Sequence, residues 1–299
     1  MQEMTRAEEY AERRRSRKHD VRKKKNYEVT AMICMGCLCL MVAMGIYTIS
    51  VCSQSKNALP IPEYSVPLTT ELPVSQKPTL DPVHRKLQDY AHSHGLSVSD
   101  YPQSFVELLE RNPEAEQFVL EYPNHKEGKP DLNQYDRSKG VPLFMQWDSQ
   151  WGYEEYGSDA IGITGCGPTC LAMVGYYLTG DSWFAPDQVA QFAEKNGYYI
   201  EGSGSAWALI SEGGRKLGMD VTEIPLDQDR IMTNLQCDNP IICVVGPGDF
   251  TTDGHFIVLS GFEGNQIKVN DPNSQKNSEK LWSYEQLAPQ IGNLWVLRK

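Results

Sequence analysis

The 23 residues from Val29 to Val51, VTAMICMGCLCLMVAMGIYTISV, carry no charge and no polar stripe. A helix of that length, at about 1.5 Å per residue, covers a hydrocarbon core of about 30 Å. An apolar surface all round predicts a membrane span rather than a surface helix. Beyond it, six prolines (Pro60, Pro62, Pro67, Pro73, Pro78, Pro82) fall among Ser, Thr and Gln, predicting a semi-extended stalk. Helical periodicity follows. Phe105, Leu108 and Leu109 form an i, i+3, i+4 stripe, and Asn112-Pro113 is a cap and first-turn signal for a short helix carrying Phe118 and Val119.

From Gly140 the pattern predicts a helix over 166–178, a second opening at Pro186 and closing at Gly197, a third through AWALISEGGRKLG to Gly218, and a short one through RIMTNL. Strand-like runs come after them: IICVV at 241–245, HFIVLSGF at 255–262, QIKVND at 266–271 and LWVLR at 294–298. Helices first and antiparallel strands later predict an α+β domain. No internal repeat, Walker sequence or G-x-G-x-x-G beside a strand-to-helix turn is present. The chain divides accordingly into a basic tail (1–28), a span (29–51), a stalk (52–83), a small helical module and linker (84–139), and a domain (140–299).

Charge gives the span a direction. Residues 1–26 hold ten Lys/Arg and five Asp/Glu, whereas the remainder holds 18 basic and 34 acidic residues. RRRSRK and RKKK immediately precede the span, so the positive-inside bias places the N-terminus in the cytoplasm and residues 52–299 outside. The long basic region, the long apolar stretch and the lack of an A-x-A-like site favour an uncleaved signal anchor over a cleaved signal peptide. Val51 is too bulky for the small residue expected before a lipidated cysteine at Cys52. The net charge of −11 argues against a nucleic-acid partner. Eight cysteines in 299 residues are too few for a disulfide scaffold.

Candidate chemistry concentrates in 140–299. Of six histidines only His255 lies there, opening a strand behind the Gly/Asp-rich loop GPGDFTTDG. Cys166, between Gly165 and Gly167 and just before Pro168, is predicted to open a helix, where free N–H groups and the helix dipole favour a thiolate. The two glycines are expected to leave room for a substrate backbone. The turn Glu263-Gly264-Asn265 is a hairpin signal that returns Asp271 to within about one residue of a position opposite His255. Register is open from sequence alone, so Asn270 remains a second candidate. Cysteine, histidine and acid form a nucleophile, base and orienting set. His84, His92, His94 and His125 are scattered among polar residues, and neither a metal nor a cofactor is expected.

VPLFMQWDSQW, GCGPTCLAMVGYY, GHFIVLSGF and VNDP, in this order, resemble the papain-like cysteine peptidases of family thirty-nine. These are the bacteriocin-processing, double-glycine-leader peptidases and their free-standing extracellular relatives. The resemblance covers about 140–299 and implies a papain-like fold with Cys166 as nucleophile, His255 as base and Asp271 as the acid of an Asn-Asp-Pro turn. Transporter-linked members carry an oxyanion-hole glutamine a few residues before the nucleophile. Here Gln146 and Gln150 are the nearest, separated from Cys166 by GYEEYGSDAIGIT. Free-standing relatives have a Gln-Trp pair matching Gln146-Trp147, which assigns the role to Gln146. No transporter span or ATPase accompanies the domain, so cleavage after a double-glycine leader does not carry over.

The reading is a membrane-anchored extracellular cysteine peptidase acting on peptides or proteins. A peptidoglycan amidase or endopeptidase, and a non-catalytic binding domain, are the alternatives. Trp147, Trp151, Trp183 and Trp207 are candidate cleft or core residues. If residues 52–299 lie outside, protease added to intact cells removes the domain; protection until lysis would reverse the topology.

Overall fold

Pro82, counted with the stalk by composition, instead starts a helix, Pro82–His94 (α1), where its fixed φ and missing N–H are tolerated. The structure, a computed structural model, describes residues 82–126 and 128–299. The basic tail, the span at 29–51 and nearly all of the stalk lie outside the described residues. Among the described residues no helix is long and apolar enough to cross a membrane.

Helix α1 is followed by Gln103–Arg111 (α2), a 3₁₀ turn at Pro113–Ala115 capped by Asn112, and Glu116–Glu121 (α3). The predicted stripe is buried: Phe105, Leu108, Leu109, Phe118 and Val119 share a cluster with Leu87. Tyr153 and Ile163 of the following domain pack on that cluster. Tyr153 stacks on Phe118 at 4.4 Å between ring centroids and donates its hydroxyl to the Phe118 carbonyl at 2.9 Å. The module is therefore built into the flank of the domain.

The domain opens with a hairpin, Glu155–Tyr156 (β1) and Asp159–Ala160 (β2), then Ile161–Thr164 (α4), Cys166–Thr179 (α5) and Pro186–Lys195 (α6). A second hairpin pairs Tyr199–Ile200 (β3) with Gly204–Ser205 (β4). The helix predicted through 206–218 is a π-helical turn at Leu209–Gly213 running into Gly214–Lys216 (α7). Gly214 lets this turn press on the next strand, since a Cβ there would lie 2.9 Å from Val221.

Then come Asp220–Glu223 (β5), Gln228–Gln236 (α8), Ile241–Val245 (β6), His255–Glu263 (β7), Gln266–Asn270 (β8), Gln275–Ser278 (α9), Leu281–Trp282 (β9), Tyr284–Leu287 (α10) and Ile291–Arg298 (β10). The strands form one antiparallel sheet in the order β5-β10-β6-β7-β8-β9. The polar run DVTE of β5 buries only Val221, so an edge strand of this kind carries no alternation to read.

Side-chain alternation divides the sheet between two cores. Ile242, Val244, Phe256, Val258, Trp295 and Leu297 face α5, while Ile241, Cys243, Val245, Ile257, Leu259, Val269, Leu294 and Val296 face Ile231 and Leu235 of α8. Each such buried aliphatic or aromatic side chain contributes about 1.5–3 kcal/mol. Helix α5 lies deep in the first core, with Leu171, Ala172, Met173 and Val174 fully buried, and ends at Gly180 in the left-handed region (φ 72°). Its start is thereby fixed against the sheet.

Gly175 within α5 illustrates how tightly it is held. In an open helix Gly→Ala gains about 1 kcal/mol. Here the added Cβ overlaps the ring of buried Phe184. Overpacking of this kind costs about 1–3 kcal/mol, so Gly175→Ala is expected to destabilise the protein in denaturant unfolding. A stabilised variant would show that the ring yields without cost.

Candidate active site

Three segments meet at one end of the sheet: the start of α5, the start of β7 and the turn after β8. Cys166 is the first residue of α5 and is partly buried. His255 is the first residue of β7, paired across the ladder with Val245. The hairpin loop Gly264-Asn265, with Gly264 at φ 60°, returns the chain into β8.

The register is set by an irregularity. Glu263↔Gln266, Phe262↔Ile267 and Gly261↔Lys268 pair regularly, but the register shifts before Leu259↔Val269 and Val258↔Asn270. A bulge adds one residue to one strand and changes which side chains share a face. Continuing the ladder puts Asp271 opposite Ile257, two residues from His255 and on the same side. Without the shift Asn270 would take that side. Asp271 thus lies two residues from a position opposite His255, rather than the one expected from the sequence.

The outcome separates the two acid candidates. His255 Nε2 and Asp271 Oδ1 are 2.8 Å apart, with His255 7% and Asp271 1% exposed. Asn270 points elsewhere and donates from Nδ2 to the carbonyls of Val141 and Pro142. Asp271 Oδ1 also accepts from the Asn273 N–H at 2.9 Å, and Oδ2 accepts from Asn277 Nδ2 at 3.0 Å. Asn277 carries no motif signal, and the sequence reading missed it.

With Nε2 committed to Asp271, the other ring nitrogen of His255 is left for Cys166. Burial raises the Cys166 thiol, but hydrogen bonding to His255, its charge, and the N–H groups of Phe256 and Gly167 outweigh this and hold it below the usual thiol value. Burial lowers His255, yet the hydrogen bonds to Asp271 and Cys166 and their charges raise it well above an ordinary imidazole. Both shifts act in favour of a thiolate–imidazolium pair. Cys170 and Cys243 are fully buried and pushed upward chiefly by burial. Cys237 is exposed.

Gln146 is 3% exposed and donates from Nε2 to the Gly162 carbonyl at 2.9 Å and, more weakly, to that of Ile163 at 3.4 Å. Its Oε1 is buried without a partner. Gln150 instead accepts from the Asp131 N–H and Gln134 Nε2. The residue of the Gln-Trp pair is the one packed beside the approach to α5.

The glycines around Cys166 require a correction. A Cβ at Gly165 would lie 2.5 Å from Ile161 atoms, and one at Gly167 2.5 Å from Ser205 Oγ. The protein itself fills both spaces. Ser205 and Tyr156, hydroxyl to hydroxyl at 2.7 Å, close that flank of α5 and were not signalled by sequence. Trp151 is a core residue with Nε1 on the Met145 carbonyl, whereas Trp183 and Trp207 are exposed. Among the described residues no cluster of His, Cys, Asp or Glu is arranged to hold a metal.

Limiting iodoacetamide near neutral pH is expected to label Cys166 before Cys170, Cys237 or Cys243. In His255→Ala the burial remains while the partner is lost, so the thiol rises above the ordinary value. Labelling should slow by roughly 10–100-fold. First labelling of Cys237 or Cys170, read by mass spectrometry, would overturn the assignment.

Several solved structures are similar. The peptidase domain of Streptococcus ComA, a bi-functional ABC transporter involved in a quorum-sensing pathway, is 22% identical over 53% of this chain and 98% of its own, with a TM-score of 0.38. The peptidase domain of Streptococcus mutans ComA, in complex with a small-molecule inhibitor, is 20% identical over 46% of this chain and 93% of its own, TM-score 0.32. A Bacillus anthracis protein described as a C39-like peptidase is 14% identical over 53% and 94%, TM-score 0.32. No curated protein matches. The sequence profile of the Peptidase_C39 like family matches residues 138–297, just over half of the chain, and the chain belongs to that family.

Proposed function

We propose that the protein is a cysteine peptidase, anchored by residues 29–51 and exposing its domain outside the cell, that hydrolyses peptide bonds through Cys166, His255 and Asp271. The observation that carries the reading is the buried His255–Asp271 contact of 2.8 Å beside a thiol of lowered pKa at a helix start. The charge asymmetry about the uncharged span supports the topology.

In this mechanism the Cys166 thiolate attacks the substrate carbonyl and its oxygen becomes an oxyanion. The His255 imidazolium gives its proton to the departing amine as the carbon–nitrogen bond breaks, leaving a thioester on Cys166. His255, now neutral, takes a proton from water. The resulting hydroxyl attacks the thioester, releasing the carboxylic acid and the thiolate while His255 becomes the imidazolium again. Asp271 holds the ring orientation and stabilises its charge. The oxyanion donors are a backbone N–H at the start of α5 and Gln146 Nε2, whose second hydrogen is only weakly engaged by Ile163.

The test is to incubate the protein with a peptide library and, separately, with purified peptidoglycan. Peptide cleavage that survives EDTA and is lost in Cys166→Ala is expected. Gln146→Ala should lower kcat by about 10²–10³-fold with little change in KM. Cleavage of peptidoglycan alone would move the reading to a cell-wall hydrolase. Loss in EDTA restored by zinc would overturn the thiol mechanism.

A further inference from the structure

We propose that the helical module preceding the family-matched region braces the catalytic acid, with Asn112 and Glu114 as positioning residues for Asp271. This rests on the proposed role of Asp271, and concerns residues outside the 138–297 match.

The brace is a pair of hydrogen-bonded arms. Asp271 Oδ1 is held by the N–H of Asn273, and the Asn273 carbonyl and side-chain oxygen both accept from Asn112 Nδ2, at 2.6 and 3.1 Å. Asp271 Oδ2 is held by Asn277 Nδ2, and Asn277 belongs to α9. Glu114 grips the start of that helix: Oε1 accepts from Ser274 Oγ at 2.7 Å and Oε2 from the Lys276 N–H at 3.1 Å. Asp271 Oδ1 is thus backed through Asn273 by Asn112, and Oδ2 through Asn277 and Ser274, whose Oγ accepts from the Asn277 N–H at 3.1 Å, by Glu114.

Capping alone does not require this arrangement. The N-cap function of Asn112 uses only Oδ1, which accepts from the Glu114 N–H at 3.0 Å. The amide nitrogen is spare for that purpose and is spent across the interface, where Asn112 is 8% exposed. Ser would cap as well, but its side chain is too short to supply the second arm. The same turn is also held by Trp147 Nε1 on the Asn273 carbonyl and the Gln146 N–H on the Pro272 carbonyl. The module therefore completes a clamp that the domain begins.

Loosening the clamp lets Asp271 drift from His255. The imidazolium then loses stabilisation and the Cys166 thiolate loses its partner, so the ion-pair window narrows from both sides. The other titratable groups facing the set are Cys166 and Cys170 on α5 and, beside Cys166, Tyr156. The substitutions replace none of these groups, and Asn112→Ser changes no charge.

The experiment measures the pH dependence of Cys166 alkylation in the full chain, alongside thermal unfolding. In Asn112→Ser and Glu114→Gln the acid limb is expected to move up by about half to one pH unit, a roughly three- to tenfold slower reaction at fixed acidic pH. Ser97→Ala removes a capping box elsewhere in the module and should change stability without moving the limb. Should Asn112→Ser not fold, Asn112→Asp keeps the size and cap but sets an acceptor against two oxygens, and the same shift is expected. An unmoved limb in a folded Asn112 variant, or an equal shift in Ser97→Ala, overturns the brace. Because alkylation needs no substrate, the shift in a protein that cleaves no peptide would remove the peptidase reading and leave the brace standing.

Discussion

A carboxylate at 1% exposure is costly unless every lone pair facing the interior is used, and Asp271 meets that condition with three donors. His255, the Asn273 N–H and Asn277 Nδ2 come from a strand end, a turn and a short helix. Satisfying them together forces the chain from 271 to 278 into one shape. Ser278 Oγ accepts from the Asp271 N–H, and Trp282 Nε1 donates to the Asn277 carbonyl. Removing one partner of such a buried set typically costs about 3–5 kcal/mol. The helical module, the Gln146-Trp147 segment and α9 all converge on this turn.

Cys166 is placed by a different kind of interaction. Helix α5 is held by apolar packing along its length, and Cys166 at its start is partly buried against the same core. Two opposing effects act on the sulfur. Burial favours the neutral thiol, while His255 and two N–H groups favour the thiolate, and the second set prevails. The site depends on both: packing excludes water, and the buried acid makes exclusion of water compatible with charge.

The bulge in β7–β8 links these two halves. A one-residue slip in a ladder exchanges the faces of every side chain beyond it. Val258↔Asn270 after the shift sends the Asn270 side chain toward Val141 and Pro142 and leaves Asp271 for His255. The acid is therefore selected by a local irregularity in the backbone, not by the composition of the Asn-Asp pair.

The sequence by itself determined the local elements. Gly-Cys-Gly-Pro and Gly180 bounded α5, strand-like apolar runs marked β6, β7, β8 and β10, and the count of one histidine in the domain named His255. These are properties of short windows, where periodicity and capping act. Tertiary structure alone decided that Asp271 rather than Asn270 meets His255, and gave the packing reason for Gly165 and Gly167. It also joined Asn112 to Asn273, 161 residues away. Such contacts depend on register, on a bulge and on how separate segments dock, and none of these leaves a periodic trace in the chain.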